Sequence, residues 1–213
     1  MERDAQFSDK AVGVISNHGD HHFDQFQLQY LLELGVKQVV YLGPLAAPDD
    51  PDRVIELMNT LPMKWVYGKI DVRERDSVSS EFPAGDAELL SHGILFRYFV
   101  PSSHGNELLR LWDFWWPEDR RRATLTLAAL LVRRSETRVV VLGSGFDFEH
   151  WTFDVDRGVM TLREKDEPGP GKHFLGSVDL EQGCTHIIVH PASRAHRCSV
   201  VDPQMNRMVI FKK

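Results

Sequence analysis

Ala11-Val12-Gly13-Val14-Ile15-Ser16 and Lys37-Gln38-Val39-Val40-Tyr41-Leu42 are the two runs that decide the fold of this chain. Each is short, mostly apolar and closed by strand-breaking residues: Ser16-Asn17 after the first, Gly43-Pro44 after the second. An apolar run without polar alternation belongs to a strand buried on both faces, as in a parallel sheet covered by helices. Between the two, Phe26, Leu28, Leu31, Leu32 and Leu34 recur at helical spacing behind a candidate N-cap at Asp24. Gly35 stands where the end of a helix calls for a left-handed residue. Strand, helix and strand joined by short connections predict a βαβ unit with its strands parallel.

The rhythm continues outward. Asp49-Asp50-Pro51 opens a second helix, with acids near the positive end of its dipole, and 63–67 is a third strand closed by Gly68. Residues 88–90 and 94–99 read as strands around a Ser91-His92-Gly93 turn, and 118–132 as a helix with a basic face at Arg120, Arg121 and Arg122. Residues 138–142 form another buried strand ending in Gly143-Ser144-Gly145. Beyond it the pattern is mostly β: alternation over 146–155, a turn at 156–158, a charged Pro/Gly loop over 164–172, and strands at 185–189, 198–201 and 207–211. There is no internal repeat, and 213 residues fit one domain, 1–213, large enough to bury its own core.

Composition narrows the function. With 25 Lys and Arg against 31 Asp and Glu, the net charge is −6, which argues against non-specific nucleic-acid binding. The stretch 194–213 is locally basic, five Lys and Arg against one Asp, a pattern that usually marks a solvated edge. Two cysteines, Cys184 and Cys198, make neither a disulfide framework nor a four-cysteine zinc site and are expected as free thiols. The start of the sequence is charged, and the apolar stretch 125–132 runs directly into Arg133-Arg134, so the expectation is a cytoplasmic protein without membrane insertion. Ten histidines invite a metal centre.

In open α/β sheets, ligands gather at the carboxyl ends of the strands. The segments there are Ser16 to His22, Gly43-Pro44, Gly68 to Asp71, Pro101 to Gly105 and Gly143 to Phe146. With Tyr41-Leu42-Gly43, Val66-Tyr67-Gly68 and its Asp71, Val140-Val141-Leu142-Gly143 and Leu175-Gly176-Ser177-Val178, the chain resembles the calcineurin-like metallophosphoesterases over roughly residues 11 to 211. The nearest branch is that of the small bacterial and archaeal phosphodiesterases, which also holds the phosphoesterase-like subunit of the eukaryotic retromer complex. The resemblance implies an α/β fold, a four-layer αββα sandwich. It also implies a two-metal centre fed by Asp-x-His-Gly, Gly-Asp, Gly-Asn-x-Asp, His-Gly and Gly-His-x-His, followed by a late Asn-Pro-Gly-Ser.

The metal motifs are degenerate. Asn17 replaces the first aspartate, and His18 follows one position early. Pro44 replaces the bridging aspartate, and Lys69 replaces the asparagine ahead of Asp71. Gly143-Ser144-Gly145-Phe146 carries neither histidine, and His104-Gly105 matches His-Gly only after a three-residue slip. Two dications need carboxylates and imidazoles around a bridging hydroxide. The expected state is therefore a vestigial pocket of Asn17, His18, Asp20, Gly43, Lys69, Asp71 and Ser144, holding at most a phosphate or nucleotide and no metal cofactor. The alternative is an active phosphodiesterase with one Mn or Zn on His18, Asp20, His21 and Asp71. His18-Gly19-Asp20-His21 also matches half of the metallo-β-lactamase signature, but its leading histidine would fall at Ser16 and the residues before it cannot supply that fold's hairpin.

The aromatic stretch Trp112, Phe114, Trp115 and Trp116 fits either a core plug or a surface for a protein partner or self-association. The remaining histidines, His92, His150, His186, His190 and His196, are expected to be surface or hydrogen-bonded groups rather than ligands.

Overall fold

The structure, a computed structural model, describes residues 7–16, 25–42, 63–66, 88–98, 126, 128–129, 132–133, 137–145, 148–163, 174–191 and 197–212. Its elements in chain order are β1 (Val12–Ser16), α1 (Gln25–Glu33), β2 (Gln38–Leu42), β3 (Met63–Val66), β4 (Glu88–Ser91), β5 (Ile94–Tyr98) and β6 (Val139–Gly145). They continue with β7 (Glu149–Asp154), β8 (Val159–Arg163), β9 (Phe174–Asp179), β10 (Thr185–Pro191), β11 (Arg197–Asp202) and β12 (Arg207–Lys212). One six-stranded sheet has the order β3-β2-β1-β11-β12-β9, and the other β4-β5-β6-β10-β7-β8.

β1, β2 and β3 are parallel in the first sheet, as are β5, β6 and β10 in the second. β1 is also antiparallel to β11, so its two neighbours come from opposite ends of the chain. Alternate residues of each central strand point to opposite faces. From the first sheet, Val12, Val14, Val40, Leu42 and Val66 meet Ile94, Phe96, Val139, Val141 and Ile188 of the second in a common inner core. The outer face of the first sheet, with Ile15, Val39, Tyr41, Val200 and Val209, is covered by Leu28 and Leu31 of α1. Helical residues Ala128 and Val132 lie against Leu95, Val140, Leu142 and Ile187 on the outer face of the second. Helix, sheet, sheet and helix are the four expected layers.

The first crossover shows how local sequence sets this packing. α1 ends in a Schellman motif: Gly35, at φ 79°, donates to Leu32 O at 2.9 Å, and Val36 N donates to Leu31 O at 3.2 Å. At Gly13 a β-carbon would stand 2.8 Å from Leu31 Cδ1, so the missing side chain lets the helix approach β1.

The far end of the chain is tied to its start by Asp202. This fully buried carboxylate accepts from Ser8 N and Ser8 Oγ at 2.7 and 2.6 Å, and from Gln204 N and Met205 N at 3.1 Å each. Burial pushes its pKa up, but the four donors outweigh that and hold it below the usual carboxylate value.

Two sequence expectations are corrected. Leu175 to Val178 lies inside β9, an edge strand antiparallel to β12, rather than at the carboxyl end of a buried parallel strand. The basic stretch toward the end of the sequence runs through β11 and β12, where Arg207 is only partly exposed and its guanidinium lies 5.1 Å from the centroid of the Phe7 ring.

Asp202→Asn removes the charge that the four donors address and is expected to cost about 1.5–3 kcal/mol of stability. Because the folded carboxyl titrates below the unfolded one, its contribution is complete above about pH 4 and fades as pH falls further. Thermal melts of both proteins should therefore differ most above that pH and converge below it.

Candidate functional site

The register fixes which residues leave the sheets at their carboxyl ends. Ser16 pairs with Leu42 and Leu42 with Val66, so β1, β2 and β3 finish in one row. Tyr98 pairs with Gly143 and Gly143 with His190, which makes a second row from β5, β6 and β10. At the start of β2, Gln38 Nε2 donates to Ser91 Oγ at 3.0 Å, beside the turn that opens β5. The strands of the two sheets therefore begin together and run the same way, so both rows lie at one end of the sandwich.

At that end the described side chains include a buried hydroxyl and a buried imidazole, and no carboxylate is among them. Ser16 Oγ is buried with no hydrogen-bond partner among the described residues. His190 is fully buried, and it shares the inner-facing parity of Ile188. Ser144, expected in a loop, is instead the extra residue of an irregularity within β6, where His190 and Pro191 pair with Gly143 and Gly145. Asn17, His18, Asp20, His21, Gly43, Lys69 and Asp71 lie outside the described residues, as do Trp112, Phe114, Trp115, Trp116 and the loop 164–172.

No protein-family model matches the sequence, and no curated protein does. Among solved structures, a metallophosphoesterase from Sphaerobacter thermophilus superposes with a TM-score of 0.57 at 14% identity, over 96% of this chain and 88% of that one. The fold is that of the calcineurin-like metallophosphoesterases. Vps29 of Chaetomium thermophilum is also similar, at 16% identity, with 95% of each chain covered and a TM-score of 0.40.

A metallophosphoesterase fold raises the question of what these strand ends offer to two dications. Both rows carry a single imidazole, His190, and no carboxylate, and among the described residues no group of three or more His, Cys, Asp or Glu is placed to hold a metal. His190, expected from the sequence as a surface or hydrogen-bonded histidine, is fully buried in the second of these rows. The signal was present in Ile187-Ile188-Val189-His190-Pro191, an apolar run closed by loop-type residues like those that mark β1 and β2.

Two other histidines meet at the opposite end. His150 on β7 lies across from Ile188, on the same inner face as His186 of β10. Their rings stack with centroids 5.2 Å apart, and His150 Nε2 lies 2.9 Å from His186 Nδ1. The carbonyl of Glu181 can only accept, so His186 Nε2 carries a proton and donates to it at 3.1 Å. Neutral His186 then accepts at Nδ1 from His150 Nε2–H. Burial, and then the neighbouring His186 and Arg163, lower the pKa of His150 to about 4. Burial also lowers that of His186, against the pull of the Glu181 carbonyl and carboxylate. Both rings are neutral near pH 7 and join β7 to β10.

Folded pKa values below the unfolded value mean that the unfolded chain takes up these protons first. The stability of the pair is thus complete above about pH 6.5 and is lost as pH falls from there toward 4. His186→Leu leaves the His150 N–H without its acceptor and is expected to cost about 1–3 kcal/mol. In thermal melts, replacing both rings by leucine should flatten the loss of stability over this interval.

Proposed function

We propose that this chain is a catalytically inactive phosphoesterase-like protein that acts as a binding or scaffolding subunit. The observation that supports the reading is the match between register and sequence at the carboxyl ends of the strands. Rows ending at Ser16, Leu42, Val66, Tyr98, Gly143 and His190 lead directly into Asn17, Gly43-Pro44 and Gly68-Lys69, while β6 runs on through Ser144-Gly145. Proline has no ligand atom on its side chain, and lysine brings a positive charge to a place where the resemblance expects a dication. Without paired carboxylates and imidazoles no bridging hydroxide is generated, so the metal-assisted attack on a phosphoester has no nucleophile. Lys69 and the backbone N–H groups of these glycine-containing segments suit retention of a phosphate or nucleotide without hydrolysis.

The partner is a protein or a second copy, with Trp112, Phe114, Trp115 and Trp116 as the candidate contact. Tryptophan and tyrosine supply much of the energy of protein interfaces. No helix among the described residues is long and apolar enough to cross a membrane.

Purified protein is expected to hold far less than stoichiometric Mn, Fe, Zn or Ni and to leave nitrophenyl phosphomonoesters and phosphodiesters intact. A stoichiometric metal, with hydrolysis abolished by His18→Ala, overturns the inactive reading in favour of a single-metal phosphodiesterase on His18, Asp20, His21 and Asp71. A separate measurement addresses the scaffold. Trp115→Ala and Trp116→Ala should leave the melting temperature unchanged while shifting sedimentation or partner co-purification toward the free chain. Unchanged association in both variants places the interface elsewhere.

A further inference from the structure

At the end of the sandwich away from the strand carboxyl ends, a cavity of about 500 Å³ opens between the sheets. It is bordered by the turn before β5, the starts of β6 and β10, the residues after β9 and the turn joining β11 to β12. We propose that this cavity is a binding site for a small organic anion with an apolar body.

Charge decides the sign of the ligand. Arg138 and Glu181 are the formally charged residues on the wall, and the Glu181 carboxylate has a cation of its own in Arg163, whose Nη2 lies 3.7 Å away. The Arg138 side chain enters no ion pair among the described residues, so its positive charge is the one left for a ligand. His186 adds none, since both its ring nitrogens are engaged by His150 and by the Glu181 carbonyl.

The body of the ligand follows from the rest of the wall. Leu90, Val139, Leu180 and Pro203 give an apolar surface, and Leu90 is 61% exposed, which leaves a large aliphatic side chain uncovered at the mouth. The volume lies within the usual range for small-molecule sites, about 300–1,000 Å³, which are mostly apolar with a few fixed polar groups.

Backbone geometry is the independent observation. Among the described residues the non-glycine positions with left-handed backbone are His92, at φ 51°, and Asn206, at φ 49°, and both line this cavity. Each closes a hairpin, Ser91 pairing with Ile94 and Asp202 with Arg207, so the turn geometry fixes where the side chain stands. Here turns from the two sheets border one cavity, with an imidazole and an amide on them.

The test follows amide NMR shifts during titration with phenylbutyrate, phenylbutanol and phenylbutylammonium, probes that share a body and differ in charge. Saturable shifts centred on Gly93, Val139, Glu181 and Asn206, with the carboxylate bound about tenfold more tightly than the alcohol and the ammonium weakest, support the site. Arg138→Gln, which keeps the backbone of β6, should bring the carboxylate down to the level of the alcohol without altering the melting temperature. His92→Asn, which tolerates the left-handed backbone, should keep the preference for the carboxylate. No saturable shifts at these amides, equal binding of carboxylate and alcohol, or an unchanged preference in Arg138→Gln overturns the proposal. Because the cavity lies away from the strand carboxyl ends, metal content and phosphoesterase activity leave this outcome untouched.

Discussion

The contact between the inner faces of the two sheets governs the rest of the molecule. Val12, Val14, Val40, Leu42 and Val66 can leave water only against Ile94, Phe96, Val139, Val141 and Ile188, and each side chain so buried is worth about 1.5–3 kcal/mol. The same strands must cover their other faces too, which draws α1 onto one sheet and the helical residues around Ala128 onto the other. Along β1 and β2 both faces are therefore apolar. That requirement produces both the four layers and the unbroken apolar runs in the sequence.

Those runs are why the architecture was legible. β1, β2, β6 and the helix ending at Gly35 follow from local signals: apolar continuity, helical spacing and a residue suited to positive φ. β9 carries a glycine and a serine in its middle and sits at a sheet edge, so nothing local identifies it as a strand. The antiparallel pairing of β1 with β11 is invisible for another reason. It joins Val14 to Ser199, and the Ser8 to Asp202 bonds span 194 residues, which no periodicity can report. The site was less legible than the fold, because a shift of one residue moves a side chain to the other face. Ser144 read as a loop residue, although its strand continues through it.

Core packing also explains how the fold can persist with these strand ends. The inner core is built from residues before the ends, such as Val14, Val40 and Val141, and the ties at the opposite end come from Asp202 and the histidine pair. Nothing that holds the sheets together among the described residues requires a carboxylate or an imidazole beyond Leu42 or Val66. A side chain at those ends can change and leave the sandwich in place, so fold similarity alone carries no statement about catalysis.

The histidines make the same separation visible at single residues. Ten in the sequence suggested a metal centre, yet position along the strands decides what each can do. His150 and His186 direct their nitrogens at one another and at a carbonyl, and both are held neutral by burial. His92 stands on a turn beside the cavity. His190 alone of the described histidines lies in a row of strand ends, and among the described residues no carboxylate ends a strand beside it.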